Sequence, residues 1–158
     1  MSAITLDQAN RIIAAILKHG AEIDCRPLSV IVVEPGCKVK AFQKEDGSSM
    51  IRFEMAFGKA YAALAMGRSS KLVKVRAEEK PIFMRYLNSA TGDQIFPEGG
   101  GLQIRNQDGE VIGAVGVTGD TEDRDEELAV YGVRAIGLKT DEDCTDLGRR
   151  GGIRLTNT

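Results

Sequence analysis

Residues 103–118 read QIRNQDGEVIGAVGVT. No other stretch limits the fold as much. An Asp-Gly pair between two apolar runs is a strong signal for a tight β-hairpin. The turn falls at Gln107-Asp108-Gly109, and the strands are expected over 103–106 and 110–118. The second strand carries glycine at 113 and 116, with another at 119. Glycine inside a strand weakens it unless another backbone must come close, so a helix is expected to lie directly on this strand.

A second hairpin is legible upstream. Residues 28–33, LSVIVV, form a short β-branched run bounded by the turn signal Pro35-Gly36. Residues 39–43 alternate, with Val39 and Ala41 on one face and Lys40 and Phe42 on the other, and Asp46-Gly47 ends the strand. Helices are expected around these hairpins. Thr5 and Gln8 make a capping box for a first helix, whose apolar stripe runs through Ala9, Ile12, Ile13 and Ile16 to Ile23. Residues 51–66 form an alanine-rich helix that Gly67 can cap. Shorter helices are expected over 71–76 and 82–87, interrupted at Pro81, with a loop over 88–93. Asp120 or Thr121 caps a last helix over 122–137, which has Glu122, Asp123 and Asp125 in its first turn, where the helix dipole favours acids. The order is helix, hairpin, helices, hairpin, helix. Without βαβ alternation this implies an α+β fold, an antiparallel sheet of two hairpins packed with helices. GAVGVTG has neither the spacing nor the strand-to-helix setting of a dinucleotide fingerprint.

The chain is 158 residues long, a length suited to one domain. The domain is expected over 1–138, followed by a polar extension over 139–158 that is either disordered or an arm for a neighbouring subunit. A net charge of −2 gives no basic footprint for nucleic acid, and the chain lacks Trp for base stacking. The three cysteines are odd in number, far apart and without a CxxC pair, so neither a disulfide framework nor a metal site is expected. No signal peptide and no membrane-length apolar run is present, which makes the cytoplasm the expected location.

Several residues can carry chemistry. The stretch IFPEGGGLQI, residues 95–104, holds three consecutive glycines. Their amides can form an anion nest for a carboxylate, carbonyl or enolate oxygen, or the run can simply turn the chain into a strand. No Lys-Ser/Thr follows, so a phosphate loop is not expected. Phe96, Gly99, Gly100 and Gly101 are therefore candidate ligand-binding residues, as are Arg52 and Glu54 one or two turns before Lys59. Lys59 interrupts a small, apolar helix face. It can act as base, electrophile or Schiff-base former, or it can be held in a structural ion pair, with Glu54 one candidate partner. Glu98 and Asp125 are the candidate acid/base carboxylates: Glu98 lies in a loop, where function concentrates, and Asp125 lies in the first turn of a helix. The only histidine, His19, is either a haem ligand or a helix-end side chain that meets the last carbonyls. With one histidine, a Ser-His-Asp or Cys-His triad is not expected.

Four segments, in order, resemble the GlcG/HbpS-like family. They are VVEPGCKVKAFQKEDG, AFGKAYAALAMGRSS, IFPEGGGLQI and EVIGAVGVTGDTEDRDEELA, and the resemblance spans about residues 4–137. It implies an antiparallel sheet flanked by helices and a homo-oligomer, up to an octamer. Related domains follow PduO-type cobalamin adenosyltransferases. Some members bind haem, and others lie in catabolic operons. The expected function is a small-molecule site near Phe96 to Gly101, Lys59 and Asp125, working as a lyase, isomerase or hydrolase. The alternative is a non-enzymatic haem- or corrinoid-binding accessory protein, with haem the cofactor that the resemblance implies.

Overall fold

The computed structural model describes residues 3–144. The elements are α1 (Leu6–Glu22), β1 (Ser29–Val33), β2 (Val39–Lys44), α2 (Arg52–Met66), α3 (Ser70–Glu79), α4 (Pro81–Ala90), β3 (Gly101–Arg105), β4 (Val111–Thr118) and α5 (Glu122–Ala135), then a short 3-10 turn (Asp141–Cys144). The α+β reading holds. The two hairpins lie side by side in one antiparallel sheet of order β2-β1-β4-β3, joined where Ile31 pairs with Gly116.

The alternation of side chains along each strand builds two cores. Val30, Val32, Val115, Val117, Leu102 and Ile104 point to one face, where they meet α1 and α5 through Ile12, Ile16, Leu128 and Val133. Ile31, Val33 and Ala114 point to the other face, against Ala56 and Ala60 of α2. Helices α3 and α4 pack outboard of α2 around Ala62, Val73, Met84 and Ile95. The capping box of α1 forms as expected: Gln8 N–H donates to Thr5 Oγ1, and Thr5 N–H donates to Gln8 Oε1.

The expected helix over the glycine strand is α2, and its approach is closer than the pattern alone required. Gly101 and Gly116 face each other across β3 and β4. A Cβ on Gly116 would lie 2.1 Å from the carbonyl oxygen of Ala56, and one on Gly101 would lie 2.1 Å from that of Lys59. The α2 backbone therefore rests on a glycine pair, and the last glycine of the GGG run belongs to β3. This corrects the expected strand start at 103. Pairing with β4 and the need for a bare backbone under α2 outweigh glycine's poor strand propensity. Other boundaries differ. Helix α3 extends to Glu79, and α4 begins at Pro81, in the first-turn position that proline tolerates, and runs on to Ala90, halfway into the expected loop.

Beyond α5 the chain returns along the β3 edge. Arg105 and Lys139 exchange backbone hydrogen bonds of 2.8 Å, and buried Asp141 accepts from Arg105 Nε (2.8 Å) and Gln103 Nε2 (3.2 Å). The rest of the expected extension, 145–158, lies outside the described residues. Among the described residues no helix is long and apolar enough to cross a membrane, and no group of acids, cysteines and histidine has a metal-holding arrangement. Cys25 and Cys37 are half-buried, Cys144 is buried, and all three are free thiols.

Candidate functional site

The first turns of α5 face the GGG loop, and the structure brings several expected residues together there. Lys59 and Asp125 form a buried ion pair, Nζ to Oδ2 at 3.1 Å, with side chains 1% and 3% exposed. Lys59 comes from the sheet-facing side of α2 and passes Gly100, where a Cβ would lie 3.1 Å from Nζ. It also donates to the Val117 carbonyl at 2.9 Å, and its ammonium lies 6.0 Å from the centre of the Phe96 ring. Asp125 uses its other oxygen, Oδ1, to accept from the Asp120 amide at 3.0 Å. Burial pushes the Asp125 carboxyl up, while Lys59 and the Asp120 amide pull it back. The partner of Lys59 is therefore Asp125. Glu54 is exposed elsewhere on α2, which corrects the expected Glu54 contact.

The three loop amides are not free for a ligand. Gly99 N–H donates to Glu122 Oε1 at 3.0 Å, Gly100 N–H to Glu126 Oε2 at 2.9 Å, and Gly101 N–H to Ser70 Oγ at 2.7 Å. The amides are not gathered on one anion: two carboxylates and one hydroxyl of the protein take them singly. Glu122 and Glu126 are four residues apart and share one face of α5, which lets them hold successive amides. Ser70 also donates to the Glu98 carbonyl at 2.6 Å, so the backbone of Glu98 is fixed at the loop. Arg52 is turned to the end of β4, where it donates to Thr118 Oγ1 at 2.8 Å. His19 lies on the side of α1 toward α5, stacked on Tyr131 with ring centres 4.0 Å apart, and its Nδ1 is 3.8 Å from Glu22. An aromatic neighbour, not the last carbonyls of α1, holds that ring.

Glu126 was not singled out from the sequence, yet it has the most distinctive setting. It lines a cavity of about 280 Å³ at the β3 edge, between α3, α5 and the returning chain. Leu72, Leu102 and Val130 supply apolar wall, and Ser69, Lys71 and Thr140 supply polar wall. Burial is the main cause that raises the Glu126 carboxyl from its ordinary 4.5 to about 6, with the Gly100 amide working the other way. A raised folded value means that ionisation costs stability. The penalty is absent below about pH 4.5 and complete above about pH 6. Glu126→Gln, which keeps an acceptor for Gly100, is expected to stabilise the fold by about 1–2 kcal/mol near pH 8 and by nothing near pH 4. Urea unfolding at both pH values checks this, and equal effects at both would contradict it.

A family model described as "Haem degrading protein HbpS-like" matches residues 4–134. The chain is 29% identical over 129 residues to an uncharacterised 15.0 kDa protein of the dhaT-dhaS intergenic region of Citrobacter freundii, covering 82% of this chain and 89% of that one. Its fold is similar to that of the Klebsiella pneumoniae protein ORFY, with a TM-score of 0.74, 25% identity and coverage of 84% of this chain and 90% of the other. It is also similar to the PduOC:haem complex, with a TM-score of 0.72, 20% identity and coverage of 87% and 98%. The match of the family model over nearly the whole described chain leads to one conclusion: the chain belongs to the HbpS-like family.

Proposed function

We propose that the protein binds a small organic molecule in the β3-edge cavity, with Glu126 as the group that engages it. The observation that carries this reading is a largely buried carboxyl lining a cavity whose walls include Leu72, Leu102 and Val130. Ligand sites are mostly apolar with a few placed polar groups, and carboxyls with shifted titration cluster at functional sites. A carboxyl that titrates near pH 6 can take and return a proton near neutrality, which suits an isomerase, lyase or hydrolase step. In this reading Lys59 and Asp125 support the loop without meeting the ligand, because both are sealed. The protein works in the cytoplasm, within a catabolic pathway, as a homo-oligomer. Apolar side chains exposed on α4 (Ile82, Phe83, Tyr86) support assembly. A thermal-shift screen of small metabolites tests the site. Ligands are expected to stabilise the wild type by about 2.7 kcal/mol at a hundred times Kd and to leave Val130→Trp, which fills the cavity, unmoved. Equal stabilisation of both proteins would contradict the site.

Haem is the second reading, and it does not fit this cavity. Among the described residues no His, Cys, Met or Tyr lines it, and about 280 Å³ lies below the usual range for drug-sized ligands, about 300–1,000 Å³. What favours haem is elsewhere. His19 stacks on Tyr131, which with Val130 and Arg134 borders an open depression of about 530 Å³. His19 is not among the described residues of its wall; as the stacked neighbour of Tyr131 it is the imidazole that would hold haem there. A Soret band on haem addition that is lost in His19→Ala supports this reading, and no band overturns it.

A further inference from the structure

The cavity wall carries an unbalanced charge. Glu126 is held by two neutral donors, the Gly100 amide at 2.9 Å and the Ser69 side chain. The other acids of the wall are matched: Asp141 accepts from Arg105 Nε at 2.8 Å, and Glu142 lies 3.5 Å from Arg134 Nη2. Among the described residues the wall's one cation is Lys71, which acts on the Glu126 carboxylate only at a distance: it is half exposed, and its ammonium lies 3.5 Å from Asp123. Among the described residues no Lys or Arg nitrogen lies within 4.0 Å of the Glu126 carboxylate. A largely buried carboxylate in this state gains most from a cation that arrives with its own apolar cover.

We propose that the cavity selects a compact primary amine, its ammonium against Glu126 and its short apolar body against Leu72, Leu102 and Val130. This rests on the reading of the cavity as the ligand site and adds the ligand's chemical class. Among the described residues the charged groups that face Glu126 are Lys71 from α3 and Asp141 and Glu142 from the 3-10 turn; Arg105 and Arg134 answer the two acids and Asp123 answers Lys71, which leaves Glu126 as the wall's unmatched charge. A volume of about 280 Å³ suits a short branched chain or a single ring. Glu126 titrates near pH 6, so amine binding is present at neutral pH and fades as the carboxyl gains its proton.

Three probes of one shape separate charge from shape: isobutylamine, isobutanol and isobutyrate. Each is titrated into the full chain while the backbone amides of Leu72, Leu102, Val130 and Thr140 are followed by NMR. At about pH 7.5 isobutylamine is expected to bind at least about tenfold more tightly than isobutanol, with isobutyrate silent. The preference is expected to vanish at about pH 5 and in Glu126→Gln at either pH. Equal binding of amine and alcohol, preference for the carboxylate, or an amine preference that survives Glu126→Gln each overturns the amine inference. So does a titration in which none of the three moves these amides. The cavity reading is judged separately by the thermal-shift screen against Val130→Trp, so the amine inference can fail while the site stands.

Discussion

Lys59→Met is expected to cost about 3–5 kcal/mol, because it leaves the Asp125 carboxylate buried without its cation. Lys59 is 1% exposed and Asp125 3%, so water cannot replace the lost partner. For a domain of this size the melting temperature should fall by roughly 10 °C or more. The double variant Lys59→Met/Asp125→Asn tells pair from position. Asparagine keeps an acceptor for the Asp120 amide and carries no charge, so most of the loss should return. A single variant that costs less than about 1 kcal/mol would show that the pair does not hold the loop and α5 together. If Lys59 were a catalytic amine instead, the single variant would lose activity with stability intact.

Gly116→Ala is expected to destabilise by about 3 kcal/mol or more, at the upper end for an overpacked core. The new Cβ would lie 2.1 Å from the Ala56 carbonyl oxygen and 3.0 Å from the carbonyl carbon, and a helix backbone cannot rotate aside as a side chain can. Gly101→Ala meets the Lys59 carbonyl at the same 2.1 Å and should behave alike. Gly36→Ala is the control: nothing lies within 4 Å of its added Cβ, and its unfolding midpoint should stay near that of the wild type. If Gly116→Ala unfolds at the same denaturant concentration as Gly36→Ala, α2 does not rest on the glycine pair.

What was legible in the sequence was local. The Asp108-Gly109 turn, the Thr5/Gln8 box, the αL cap at Gly67 and the glycines of β4 each rest on a few neighbouring residues, and each took the expected form. The boundary at Gly101 was missed because its reason, the carbonyl of Lys59, comes from another element. The candidate site shows the same division. Lys59 stood out as a charge on an apolar helix face, but its partner lies 66 positions away, and only the packing of α5 over the end of β4 unites them. The glycine run was read as either an anion nest or a plain turn, and its three amides prove to be taken one each by Glu122, Glu126 and Ser70. Glu122 and Glu126 looked like ordinary dipole-complementing acids until the fold set them against the loop. Glu126 could have been flagged by its four-residue spacing from Glu122, yet that spacing is common on solvated helices. Its significance lies in the cavity wall, which Leu72, Leu102 and Thr140 complete from three other parts of the chain.

The most direct measurement is a backbone NMR map of a ligand that emerges from the thermal-shift screen. The account predicts shifts at Leu72, Leu102, Glu126, Val130 and Thr140, with Lys59 and Glu98 silent. Shifts centred on Lys59 and Glu98 with a silent cavity wall would return the site to the glycine loop and contradict the account.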